Sequence, residues 1–189
     1  MSLEQLDDMT QEVARANPDL PKSSAGFGRL LIDELKKVDP KDGITRSRYP
    51  FIYVTSDEFW LLVLYRDYIT PTRQAKAAAE AEERRIWGNN FRNGRSDGFR
   101  HAYVNTLLAK RCALWWADAI MTAHESETPA SEALEKAMDL NNNAAGRNIW
   151  LDNKNATDAQ LSERVRAYPT KKVSRQSDMS MRFIVYLEG

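Results

Sequence analysis

Along most of this chain, apolar residues recur with the period of a helix and only rarely with that of a strand. Over 3–16 they gather on one face and predict a short amphipathic helix, which "NPDLP" stops. Phe27, Leu30, Leu31 and Leu35 share one face of a second helix, expected over 24–38 and closed by "DPKDG". The rhythm changes at "YPFIYVT" (49–55), which is aromatic, apolar and β-branched and predicts a strand. "SDEFWLLVLYRDYI" opens on a serine cap and early acids and predicts a buried helix. Residues 70–88 carry Thr and Pro at the start, Gly at the end and mostly Ala, Glu and Arg between. They read as a strong helix former with a mostly wet surface.

Beyond the turn-rich "NNFRNGRS" the apolar density rises. Residues 97–123 predict one long helix, capped by Ser96, too apolar for a surface position. No Pro or Gly lies between Phe99 and Glu127 to bend it. After the break at "ESETPAS", "SEALEKAMDLNNNAAGRNIWL" predicts another helix, weakened by three asparagines and a glycine. "ATDAQLSERVRAYP" predicts a short helix capped at Thr157 or Asp158, and "TKKVSRQSD" is basic and loose. "MRFIVYLE" closes the chain as a strand, expected to pair with "YPFIYVT" because neither satisfies its backbone alone. The expected fold class is mainly α, formally α+β: one domain over 1–189, built around one long central helix with a small sheet. Within it, 1–90 form an N-terminal helical region of unassigned role, and 96–150 carry the motifs.

Composition narrows the functions. The chain has 27 basic and 27 acidic residues among 189, a balance that argues against coating nucleic acid but leaves room for a small basic cleft. At 42% hydrophobic residues it is too apolar to stay disordered. The one cysteine, Cys112, excludes an internal disulfide and a thiolate metal cluster; placed mid-helix, it is expected to be core and not a nucleophile. With two histidines, any metal site must lean on carboxylates or amides. The acidic N-terminus does not read as a secretory signal, and no apolar run is long enough to span a bilayer. The chain is expected to be made in the cytoplasm with no transmembrane segment.

Polar residues interrupt the apolar pattern in three clusters. Asp97, His101 and Asn105 are spaced i, i+4, i+8 and form one stripe, with Arg100 beside them. A structural account exists: Asp97 suits the helix dipole and takes a hydrogen bond from His101. The functional account is that the stripe follows a Gly-containing loop, where a ligand can approach. The second cluster is "AHESE", with His124 and Glu125 where the long helix should end. The third is "MDLNNNAAGRN", in which Asp139, Asn142, Asn143 and Gly146 share one helical face. That face is either a helix end unravelling into a glycine cap or a polar surface aimed at a site. On one straight helix His101 and His124 would lie about 34 Å apart at ~1.5 Å per residue. They share a proton or a metal only if the helix kinks.

Taken in order, "DGFRHAYVN", "AHESE" and "AMDLNNNAAGRNI" resemble a domain of unknown function found at the C-terminal ends of bacterial polymorphic toxins. Its pattern reads roughly D-x-F-R-H-A-Y-W, A-H-E and M-D-L-x-N-N-x-x-G-R. The match covers 97–149 and carries over Asp97, Arg100, His101, His124, Glu125, Asp139, Asn142, Asn143, Gly146 and Arg147; Val104 stands where an aromatic is common. The resemblance implies an antibacterial effector or toxin and leaves the reaction open. It also implies a cognate immunity protein and a secretion-system component, such as type VI, as partners, with delivery into a neighbouring bacterial cell.

Three functions are compatible with these residues. The first is a hydrolase acting on the cell envelope, on peptidoglycan or a lipid-linked phosphate ester. There His101 is the general acid or base, Asp97 orients it and raises its pKa, and Arg100 or Arg147 holds an anionic oxygen. Glu125 is a second acid–base group, and Glu125 with Asp139 is the carboxylate pair a glycosidase would need. Asn105, Asn142, Asn143 and Arg147 are the substrate-binding candidates. The second is a nuclease toxin, in which His, Asp, Glu and Asn hold a divalent cation and Arg84, Arg85, Arg92 and Arg95 contact phosphates. Nucleic acid is the less favoured partner. The third is a non-enzymatic binding or immunity module.

Overall fold

The computed structural model describes residues 2–35, 54–89 and 91–187. Residues 49–53 of the strand expected at "YPFIYVT" lie outside the described residues. The fold is mainly α, as the apolar period predicts, and it divides into two compact units, 1–73 and 74–189.

The first unit contains α1 (Leu3–Ala16), α2 (Ala25–Leu35), α3 (Ser56–Leu64) and the start of α4 (Ile69–Trp87). A capping box between Ser2 and Gln5 opens α1. Val13, Phe27 and Leu31 form a small core under Met9, Leu20 and Leu35. The Arg66 guanidinium is buried against backbone, donating to Lys22 O at 2.7 Å and to Ser24 O at 2.9 Å. Asp7 accepts from Thr70 Oγ1 at 2.7 Å and from Arg73 Nε at 2.5 Å. Helix α3 is not the buried helix its apolar letters predict: Trp60 is 57% and Leu64 67% exposed, and its cap is Thr55, one residue before the expected serine.

The second unit holds most of the core. It continues through α4 into α5 (Arg95–Arg111), α6 (Leu114–His124), α7 (Ala133–Asp152) and α8 (Asp158–Arg166), then β1 (Thr170–Lys172) and β2 (Ile184–Tyr186). Helix α5 is buried continuously from Ser96 to Ala109, so it lies inside the unit and not on its surface. It begins at Gly94 without a side-chain cap, and the expected cap Ser96 instead accepts the Phe91 N–H at 3.2 Å.

The expected single helix over 97–123 is two helices. The break falls at Cys112 (φ −117°, ψ −91°) and Ala113 (φ −163°, ψ 158°), neither of which is Gly or Pro. Tertiary burial causes it. Turning back lets α6 pack on both α5 and α7, and buries Trp116, Ala117, Ile120 and Met121 completely. Burying a large apolar side chain contributes about 1.5–3 kcal/mol. The helical hydrogen bonds lost at the turn are each worth about 1 kcal/mol net, so burial wins. Cys112 is therefore half-buried at a helix end, not mid-helix as expected, and burial pushes its thiol up to about 11.

Helices α5 and α7 run parallel, because Asn142 lies by Gly98, Gly146 by Ala102 and Arg147 by Asn105. Gly146 permits the approach: a Cβ there would sit 2.0 Å from Ala102 O. Thr106 Oγ1 closes the same crossing on Gly146 O at 3.0 Å. The closing strand β2 forms as expected, and among the described residues it pairs with β1, in the segment expected to be loose. The pairing is parallel, with Thr170 opposite Ile184. Met138, Val173 and Val185 make a core beneath this sheet. Among the described residues, no helix is long and apolar enough to cross a membrane.

Candidate functional site

The turn at Cys112 and Ala113 changes what the three polar clusters can do together. Helix α5 presents Asp97, Arg100, His101 and Asn105, and the parallel α7 presents Asp139 and Asn143, one helical turn apart, to the same place. Helix α6, folded back, delivers His124 and Glu125, whose charges act on His101; Glu125 acts on Asp139 as well. The straight-helix separation of the two histidines therefore does not hold.

His101 lies at the centre and is 4% exposed. Its Nε2 stands 3.6 Å from Asp97 Oδ1 and 3.4 Å from Asp139 Oδ1. Its Nδ1 faces Asn143 Oδ1 at 3.3 Å. A relay of amides fixes the ring's tautomer. Asn105 Nδ2 donates to the His101 carbonyl at 3.0 Å, and Arg147 Nη1, which only donates, reaches Asn105 Oδ1 at 3.1 Å. Asn105 Nδ2 also donates to Asn143 at 2.7 Å, so the Asn143 atom facing His101 is its oxygen. Nδ1 must then carry the proton, and the neutral ring turns the Nε2 lone pair toward the two aspartates.

Electrostatics keep the ring neutral. Burial pushes the His101 imidazole down to about 4, against the pull of Asp97. This corrects the expectation of a raised pKa: the water lost on burial outweighs the carboxylate gained. Burial, with the nearby charges of Glu125 and Asp97, raises the Asp139 carboxyl well above the usual range. Glu125 is buried and accepts from Thr128 Oγ1 at 3.0 Å.

Several candidates have structural partners. Arg100 donates to Asp97 and to Glu83 Oε2, at 3.2 Å for the latter, and so braces two buried acids. Asn142 donates to Val185 O at 2.9 Å and accepts from Val185 N at 2.8 Å, clamping β2 with both ends of its amide. Asn105 is fully buried inside the relay. Arg147, partly exposed, pairs with Asp118 at 2.9 Å. His124, Asp139 and Arg147 are the candidate residues that retain some solvent contact.

Sequence reasoning missed Glu83 and Asn93. Glu83 is buried on α4 in line with Ala75 and Ala79, and that i, i+4, i+8 stripe was the available signal for a dry face. Burial raises its carboxyl above the usual range, against the attraction of Arg100. Asn93 adopts a left-handed backbone (φ 63°) and donates its N–H to Asp97 Oδ2 at 2.6 Å. Asp97, His101 and Asp139 each offer a ligand atom within 4.8 Å of the others, a spacing a metal ion can bridge.

No curated protein and no solved structure matches the chain. Residues 59–173 match a family described as a domain of unknown function, DUF6973, and span α3 to β1 with every residue of the cluster above. That match covers more than half of the sequence, and the chain belongs to the DUF6973 family.

Proposed function

We propose that this chain is the toxic domain of an antibacterial effector. In this reading it is a hydrolase of the cell envelope, acting on peptidoglycan or a lipid-linked phosphate ester through His101 and its carboxylates. The observation that carries the reading is the convergence of three separate motifs on one buried polar cluster, Asp97–His101–Asp139 with Glu125. Structural packing alone gives little reason to bury so many acids around an imidazole, because each loses hydration on burial. Functional sites are where such arrangements gather.

His101 presents its Nε2 lone pair as a proton acceptor. Glu125 and Asp139 supply acid–base groups on the facing helices. Asp97, held by Arg100 and the Asn93 N–H, orients the imidazole. Asp139, beside His101 and with some solvent contact, is the point from which substrate would reach the imidazole. A cognate immunity protein and a secretion-system component complete the reading, with delivery into a neighbouring cell.

The nuclease alternative gains little from its proposed phosphate surface. Arg85 pairs with Glu82 at 2.7 Å, and Arg92 pairs with Glu132 and Glu135 at 2.6 Å each.

The test is to express the chain in a bacterium, once in the cytoplasm and once directed to the periplasm. Killing from the periplasm alone supports an envelope substrate, killing from the cytoplasm alone supports a nuclease, and killing from neither overturns the toxin reading. His101→Ala is expected to reduce killing by a factor of about 10²–10⁴, the usual contribution of general acid–base catalysis, while circular dichroism stays unchanged. A fully toxic His101→Ala variant would remove this residue from the chemistry.

A further inference from the structure

We infer that Asp97 Oδ1, His101 Nε2 and Asp139 Oδ1 are the protein ligands of one divalent first-row metal ion, of the manganese or zinc class. The inference rests on reading this cluster as the hydrolytic centre, and it names what that centre binds; with an ion bound, the His101 Nε2 lone pair is a ligand and the proton-accepting role passes from His101 to Glu125.

The first argument is the tautomer. The Arg147–Asn105–Asn143 relay places the proton on His101 Nδ1, so a nitrogen lone pair faces two carboxylate oxygens at 3.4 and 3.6 Å. Three electron-rich atoms meet with their lone pairs converging. A proton shared between His101 and Asp139 would relieve one of these contacts and leave Asp97 Oδ1 against the same nitrogen. A cation between them relieves both.

The second argument is geometry. All three ligand atoms lie within 4.8 Å of one another. Ligands held about 2.0–2.2 Å from a common ion stand roughly 3–4 Å apart, so small side-chain adjustments close the site. The third argument is an orphaned acceptor. Asp139 Oδ1 is buried and has no hydrogen-bond partner. A buried acceptor left unmet is destabilising, and a cation bound there would meet it.

The fourth argument is the second layer. Metal-binding imidazoles usually donate their other N–H to a fixed acceptor, and ligating carboxylates are themselves hydrogen-bonded. Here Asn143 Oδ1 takes the Nδ1 proton, while Arg100 and the Asn93 N–H hold Asp97. One imidazole with two carboxylates suits manganese or zinc better than the all-oxygen sites that calcium and magnesium prefer. Three protein ligands leave coordination positions for water and substrate. A metal there would supply Lewis-acid activation, and Glu125 would be the carboxylate at hand to take a proton.

The experiment uses the full chain, stripped with a chelator and titrated calorimetrically with Mn²⁺ and Zn²⁺. Visible absorption with Co²⁺ reports imidazole ligation. One equivalent is expected to bind. His101→Ala and Asp139→Asn should each weaken binding at least tenfold, and His101→Ala should abolish or shift the Co²⁺ absorption band. Removing the orienting Asn143 with Asn143→Ala should weaken binding by a factor of about 10–100. Where Asp139→Asn fails to fold by circular dichroism, His101→Gln takes its place. The inference is overturned if the parent binds none of these ions, or if the folded variants bind as tightly as the parent. Its failure is separable from that of the hydrolase reading. A toxic chain that needs His101 but binds no metal sinks only the metal site; a chain that binds one equivalent without killing sinks only the toxin.

Discussion

At the scale of single residues, the site depends on small side chains as much as on reactive ones. Gly146 lets α7 approach α5 until a Cβ would collide with the Ala102 carbonyl at 2.0 Å. Backbone cannot yield as a side-chain tip can, so Gly146→Ala is expected to cost about 3 kcal/mol or more. Thermal melting will show it as a large drop in Tm or as insoluble protein; a drop of less than about 3 °C would mean the helices slide apart cheaply. The Asp97–His101 stripe was legible because i, i+4 spacing is visible in the letters. The partners of Arg100 were not. A guanidinium reads the same whether it meets a substrate or a buried acid, and its buried partner Glu83 lies on another helix. The lowered pKa of His101 is hidden for a related reason: the sequence displays the neighbouring Asp97 but not the loss of water on burial.

Elements were legible where local chemistry decides them. The apolar face gave α1 its start and the cap at Thr157 or Asp158 gave α8 its own, and both begin within a residue of expectation. Where long-range burial decides, the letters were silent. Nothing at Cys112 and Ala113 signals a turn, and nothing in "TKK" announces a strand. Helix α4 was read as wet, yet it carries a dry stripe and also a polar clasp to α8. There Glu82 accepts from Arg85, and from Ser162 Oγ at 2.5 Å. The Arg85 hydrogen bond, with that of Ser162, holds the Glu82 carboxyl down to about 2. A carboxyl whose folded pKa lies below its unfolded value stabilises the fold above the unfolded pKa, near 4.5. That stability is lost as pH falls from there toward 2. Glu82→Gln should therefore lower Tm at pH 7 and lose part of the acid sensitivity between pH 4.5 and 2. After screening the effect is on the order of 1 kcal/mol. Parallel Tm–pH curves for parent and variant would show that the clasp does not couple to folding.

At the scale of the molecule, the chain divides at Arg73 and Gln74, and every residue of the candidate site belongs to the second unit. The core of that unit is supplied by its own helices and sheet. A fragment of residues 69–189, keeping α4 whole, is expected to show a cooperative melt and helical circular dichroism. A broad, non-cooperative transition would show that the first 68 residues are needed for folding. The mainly α class was readable from the apolar period throughout, because it needs only local pattern. Function was readable only as far as the motifs, since their meeting depends on a reversal of direction that no residue announces.

That reversal makes the site a matter of phase. Each residue added to a helix rotates everything after it by about 100°. One alanine inserted in the middle of α6 would swing His124 and Glu125 away from His101 without altering a single reactive group. The same rotation would turn Ile120 and Met121 out of the core, so the insertion would cost stability as well as the second acid. The position of Glu125 is thus kept by the count of residues between Ala113 and His124, and deletions or insertions there should silence the protein as surely as His101→Ala, while substitutions at exposed positions of α6 other than Asp118, the partner of Arg147, should pass unnoticed.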